Sequence, residues 1–196
     1  MEWGFKGMNN LLHEKNLCFD FSKCSLVNNP VKFDIKNPGG MTGVDFVAET
    51  DECIYFIEVK DFQNPRTSKE HQIANYEMLV AISKSERPRT SSQADDKLAF
   101  EKGRNFCLSI GMKIKDSLLR KYAMGEEITK DVVYLFVLNL DSLGKRERGI
   151  LKERINNGYI PTGLNDNQFT KFKNIRFDLV NTEQLKIYNI TCTVAI

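Results

Sequence analysis

The sequence predicts an α/β domain in which a mixed sheet is flanked by helices. Three observations carry that prediction. Residues 131–140 (Asp-Val-Val-Tyr-Leu-Phe-Val-Leu-Asn-Leu) are almost continuously apolar, as a strand covered on both faces requires. Three earlier runs, 31–35, 44–50 and 53–59, are short, rich in β-branched and aromatic residues, and separated by turn formers. Between these runs and 131–140 lie two stretches of helical periodicity, so one strand is reached from another across helices.

The elements follow in order. Met8, Leu11 and Leu12 stand at helical spacing and predict a first helix over 7–16. Residues 18–27 alternate enough for a short strand, which Asn28-Asn29-Pro30 ends. Val31, Phe33 and Ile35 alternate with Lys32 and Asp34, and Asn37-Pro38-Gly39-Gly40 breaks the run. A hairpin turn at Thr50-Asp51-Glu52 joins the next two strands. Over 68–83, Ile73, Tyr76, Leu79, Val80 and Ile82 form a helical pattern that Ser68 is placed to cap. Residues 85–93 read as an exposed loop. A longer helix over 94–123 carries a stripe of Phe106, Cys107, Ile110, Ile114 and Leu118. Gly103 and Gly111 weaken it modestly and would permit close approach to a sheet. A charged helix over 143–156 and strands near 175–179 and 188–194 complete the chain.

At 196 residues the chain fits one domain. A chain of this size buries roughly 70% of its unfolded surface, so it needs no metal or disulfide simply to fold. Its 41% apolar and 28% charged residues are ordinary globular values. A net charge of +2 does not identify a nucleic-acid binder, but local density does the work of phosphate contact. Lysine and arginine are dense from Arg66 to Arg104 and over 145–154. The five cysteines form no CxxC pair and no zinc spacing with the two histidines, which predicts reduced thiols in an intracellular protein. Cys53 and Cys107 lie in apolar patterns as core residues. His13 and His71 are isolated. The start Met-Glu-Trp-Gly lacks a signal-peptide pattern, and the longest apolar stretch falls short of the ~20 residues of a membrane helix. A soluble, cytoplasmic protein is expected. Glycine-rich phosphate loops and serine-hydrolase signatures are missing.

The chemistry gathers in Gly43-Val44-Asp45-Phe46 and Phe56-Ile57-Glu58-Val59-Lys60. Side chains alternate along a strand, so Glu58 and Lys60 share one face and Ile57 and Val59 the other. Antiparallel pairing across the turn at 50–52 brings Asp45 beside Glu58. Two neighbouring carboxylates repel unless a cation lies between them. Magnesium suits such a pair, because it accepts one or two carboxylates, several waters and phosphate oxygens. The main-chain carbonyl of Val59 is placed to add an oxygen, and Lys60 to orient or deprotonate the attacking water, or to steady a charged transition state. Asp34, Glu49 and Asp61 lie nearby and read as peripheral.

An acid followed, after a hairpin, by Glu-x-Lys resembles the PD-(D/E)XK, or restriction-endonuclease-like, nuclease superfamily. The resemblance implies a core α-β-β-β-α-β over about 7–140, allowing an extra helix and loop at 68–93, with an α/β extension over about 141–196. It implies that Asp45 and Glu58 bind Mg2+, with Mn2+ as a substitute, and that Lys60 serves the hydrolytic water. Many members carry a glutamate on the first helix as a further metal or water ligand, and Glu14 stands at that place. Gln72 and Tyr76 look like the Gln-x-x-x-Tyr pair of the RecB-like branch, which faces the site or the DNA. The literal Pro-Asp pair is absent, since Val44 precedes Asp45.

The expected function is therefore magnesium-dependent hydrolysis of phosphodiester bonds in nucleic acid, most simply DNA, by an endo- or exodeoxyribonuclease. The alternative is a catalytically inactive nucleic-acid-binding or assembly protein on the same fold, with Asp45, Glu58 and Lys60 kept as ion pairs. Small members of the superfamily often act as dimers, so a homodimer is allowed; no membrane partner is expected. Arg66, Lys69, Arg87 and Arg89 follow Lys60 closely and are expected to hold phosphates without reading sequence. Replacing Arg87 and Arg89 together should weaken DNA binding and lower the slope of log affinity against log salt by about 2. Binding measured from low to moderate salt checks this, and an unchanged slope rejects the patch.

Overall fold

The structure, a computed structural model, describes residues 10–33, 41–83, 94–160 and 174–194. Its first elements are the strands β1 (Leu11–Glu14) and β2 (Leu17–Asp20), paired antiparallel around a tight turn at Lys15 and Asn16. This corrects the helix expected over 7–16. Lys15 adopts a left-handed φ of 55°, which turns the chain after Glu14. Leu17 and Phe19 alternate into the core with the two-residue period of a strand. Helical spacing of Leu11 and Leu12 yields to that burial, because a two-turn helix has little stability of its own. Residues 1–9 lie outside the described residues.

The main sheet follows. Strands β3 (Val31–Lys32), β4 (Phe46–Glu49) and β5 (Cys53–Asp61) run antiparallel, each beside the last. The chain turns from β4 to β5 through Thr50, whose Oγ1 accepts from the Cys53 amide at 3.1 Å. Helices α1 (Lys69–Ser83) and α2 (Ala94–Ala123) cross over to β6 (Asp131–Asn139), which lies parallel to β5. Helix α3 (Lys145–Tyr159) then leads to β7 (Ile175–Val180), parallel to β6. A 3-10 turn (Gln184–Tyr188) precedes β8 (Thr191–Val194), which pairs antiparallel with β2. The result is α/β, with a mixed sheet in the order β3-β4-β5-β6-β7 and a separate antiparallel sheet β1-β2-β8. Strands β7 and β8, both after Asp141, each supply an edge strand, β7 to the main sheet and β8 to the small one.

Alternation along β5 sorts the core into two layers. Ile54 and Phe56 face the helices, joining Leu79 and Ile82 of α1, Cys107, Ile110 and Ile114 of α2, and Leu151 and Ile155 of α3. Ile57 and Val59 face the small sheet and pack with Leu17 and Phe19. In β6 every residue after Asp131 is buried, which is why its sequence is apolar without alternation. Gly103 and Gly111 serve helix contacts and not the expected contact with the sheet. A Cβ on Gly103 would lie 2.8 Å from Ile82 Cβ of α1, and one on Gly111 2.5 Å from Tyr159 Cβ of α3. All five cysteines are free thiols. Burial pushes the Cys107 thiol up to about 12, as suits a core residue. Among the described residues no helix is long and apolar enough to cross a membrane.

The two sheets are joined through aromatic packing: Phe19 of β2 meets Phe46 of β4 edge to face, with ring centroids 5.2 Å apart. Phe19 is fully buried. Phe19→Ala should therefore destabilise the protein by about 3–5 kcal/mol in urea unfolding. A loss under 1 kcal/mol would show that the small sheet is not part of the folded unit.

Candidate functional site

Asp45 precedes β4 directly, and the β4–β5 register pairs Phe46 with Ile57. One step further sets Asp45 opposite Glu58, as the hairpin reading required. Both lie on the helix-facing side of the sheet, and both are buried, at 4% and 0% exposure. Asp45 Oδ2 accepts from the Val59 amide at 2.6 Å, fixing the carboxylate at the end of the ladder. The N–H and C=O of a strand residue open to the same edge, so the Val59 carbonyl is directed to the Asp45 side as well.

Two ammonium groups meet this pair. Lys60 Nζ donates to Glu58 Oε1 at 2.5 Å. Lys113 Nζ, from α2, donates to Glu58 Oε2 at 2.8 Å and stands 3.8 Å from Asp45 Oδ1. Sequence reading missed Lys113. Its only signal was its position three residues after Ile110 and four before Ser117, on the flank of the buried stripe of α2. That flank, at spacings of three and four, grips the whole Asp45 segment. Asp116 Oδ2 accepts from the Thr42 amide at 2.8 Å, Ser117 Oγ accepts from the Val44 amide at 3.0 Å, and Arg120 donates to the Phe33 carbonyl at 2.8 Å. Gly43 is needed in the same segment, since a Cβ there would lie 2.9 Å from the Phe33 oxygen.

Burial pushes the Glu58 carboxyl above its ordinary value; Lys60 and Lys113 pull it down, Asp45 pushes it further up, and burial prevails. Beneath the site Tyr134 of β6 is wholly buried and donates to the Ile110 carbonyl at 2.9 Å. Burial, reinforced by Glu58 and Asp45, holds its phenol well above the usual range, so it stays neutral and structural.

The remaining expected residues lie elsewhere. Glu14 is on the small sheet, 3.4 Å from Lys32. Lys32 pairs with Phe46, whose ring faces the small sheet, so the main sheet separates Glu14 from Glu58. The expectation that Glu14 adds a ligand from a first helix is thereby corrected. Gln72 donates to the Asn64 and Thr67 carbonyls at 3.1 and 3.0 Å, lacing the loop after β5 to α1. Tyr76, one turn on, is 38% exposed. Arg66 and Lys69 are exposed on that loop and the first turn of α1. Ser68 caps the helix, its Oγ accepting from the His71 amide at 3.3 Å. Glu49 pairs with Lys130, and Asp61 accepts from Asn139, as peripheral acids. Arg87, Arg89 and Asp34 lie outside the described residues.

Among the described residues no group of three or more histidine, cysteine, aspartate or glutamate side chains gathers as a metal cluster. A metal here would rest on Asp45, Glu58, the Val59 carbonyl and water. Those are hard oxygen donors, and two carboxylates with water is the complement Mg2+ takes most readily, so the donor chemistry fits. Comparisons with protein-family models, with curated proteins and with solved structures found no match to this chain.

A raised Glu58 pKa has a defined consequence for stability. The folded protein binds this proton more tightly than the unfolded chain, so the contribution is complete below about pH 4.3 and is lost as pH rises through the folded value. Glu58→Gln removes that dependence. Urea unfolding between about pH 4 and pH 8 should show wild type losing stability relative to Glu58→Gln as pH rises. A wild type that instead gains stability relative to Glu58→Gln as pH rises would mean that the lysines outweigh burial.

Proposed function

We propose that the chain is a divalent-metal-dependent nuclease that hydrolyses phosphodiester bonds, with DNA as substrate. The observation that carries the reading is the register that sets Asp45 against Glu58, with Lys60 two residues on and on the same face. The strand order supports it: β3, β4 and β5 antiparallel, then β6 parallel after helices, follow the β-β-β-α-β part of a PD-(D/E)XK core. The leading helix of that core has no counterpart at 10–20, where the chain forms β1 and β2.

In this reading Asp45 and Glu58, with the Val59 carbonyl, hold Mg2+ or Mn2+. When bound, the ion supplies Lewis-acid stabilisation of the charge that builds on the phosphoryl oxygens. An ammonium has hydrogens to give and no lone pair, so Lys60 works by orienting the attacking water and steadying negative charge, and not by removing a proton. The Val59 amide keeps Asp45 from rotating out of place. Arg66 and Lys69, exposed just past the C-terminal end of β5, stand ready to contact the phosphate backbone.

One observation favours a second reading. Two carboxylates and two ammoniums already balance, and such a network can persist as a buried ion cluster in an inactive nucleic-acid-binding or assembly protein. Cleavage of plasmid and single-stranded DNA with Mg2+ or Mn2+ separates the two. Wild type should cut, and Asp45→Ala and Lys60→Ala should each lose on the order of 100-fold or more in rate. Metal-dependent activity that survives both substitutions rejects the assignment. Binding by wild type without cleavage selects the inactive reading.

A further inference from the structure

We propose that the Lys113 ammonium is a resident counter-cation that holds the position a divalent ion takes, so that metal enters only as Lys113 withdraws. The inference rests on the metal reading of Asp45 and Glu58. Its ground is geometric: Lys113 Nζ lies within ion-pair distance of one oxygen from each carboxylate, 2.8 Å from Glu58 Oε2 and 3.8 Å from Asp45 Oδ1. A magnesium ion joining the same two groups sits about 2.0–2.1 Å from its oxygens. The ammonium and the ion therefore compete for one place between the same two buried carboxylates, where their like charges oppose joint occupancy.

The two lysines differ in this respect. Lys60 bonds the other Glu58 oxygen, Oε1, and its side chain is 26% exposed, so it can stay while an ion binds. Lys113 is 17% exposed and reaches across from α2. Its backbone is held in place: Ser117 Oγ donates to the Lys113 carbonyl at 2.7 Å and accepts from the Val44 amide. Withdrawal is therefore a rotation of the lysine stem, with no movement of α2. Without an ion, Lys113 keeps the two buried carboxylates from repelling each other. With one, it is freed beside the place where substrate phosphate arrives.

Manganese binding, followed by calorimetry and by the paramagnetic resonance of free Mn2+, tests this without any measure of cleavage. Lys113→Gln and Lys113→Met remove the charge, and Lys113→Arg keeps it. The uncharged variants should bind Mn2+ at least tenfold more tightly than wild type, and Lys113→Arg no more tightly. For a variant destabilised by loss of the ammonium, the reading is its thermal midpoint, which Mn2+ should raise by more than it raises that of wild type. No such rise, or equal or weaker binding by the uncharged variants, overturns the role given to Lys113 and leaves the metal site standing. Absence of Mn2+ uptake by wild type and every variant at millimolar ion overturns the metal reading, and this inference with it.

Discussion

A wholly buried carboxylate governs the centre of this protein. Glu58 points from β5 into the apolar layer between sheet and helices, and a carboxylate in that setting persists only if cations or hydrogen-bond donors meet both of its oxygens. Lys60 meets one and Lys113 the other. The first comes from the same strand at the separation that keeps side chains on one face. The second comes from a helix more than fifty residues away, so the charge on Glu58 ties the register of the sheet to the docking of α2.

Helix α2 answers that demand along one flank. Lys113, Asp116, Ser117 and Arg120 hold, in turn, the carboxylate pair, Thr42, Val44 and Phe33. The adjoining stripe of Cys107, Ile110 and Ile114 packs on the sheet. One helix thus combines apolar burial, which anchors it, with polar contacts that place Asp45. Buried ion networks often contribute less than apolar side chains of equal volume, but removing one partner leaves an unmatched buried charge, so the members of this network depend on one another. Its consequence is two buried acids held at fixed separation, each within ion-pair distance of the Lys113 ammonium.

The opposite face of the sheet has a simpler task. Ile57 and Val59 pack there against the small sheet, with Leu17 and Phe19 opposite them. The small sheet closes with β8, so the last described strand of the chain completes the layer begun by the first two. Covering both faces of β5 and β6 leaves the strand ends as the place where polar groups can collect. The carboxylates lie at that end for Asp45, where β4 begins, and at the matching point of β5 for Glu58.

Much of this was legible in the residues. Period-two alternation and Thr50-Asp51-Glu52 specified the hairpin, and with it the meeting of Asp45 and Glu58, because strand register is a local property once the turn is known. The uninterrupted apolar run of β6 announced burial on both faces, and α2 was bounded by its own periodicity. Three matters were decided only by the tertiary structure. The segment at 10–20 became a hairpin, because burial of Leu17 and Phe19 on the main sheet outweighs the weak helical preference of so short a stretch. Glu14 went to the far side of the sheet with it. Lys113 joined the site through the packing of α2, a contact between residues fifty-five positions apart in sequence. Local chemistry determines turns, periods and faces, and spacing put Lys113 on the flank of its helix, but which distant side chain meets a buried charge depends on how the elements dock.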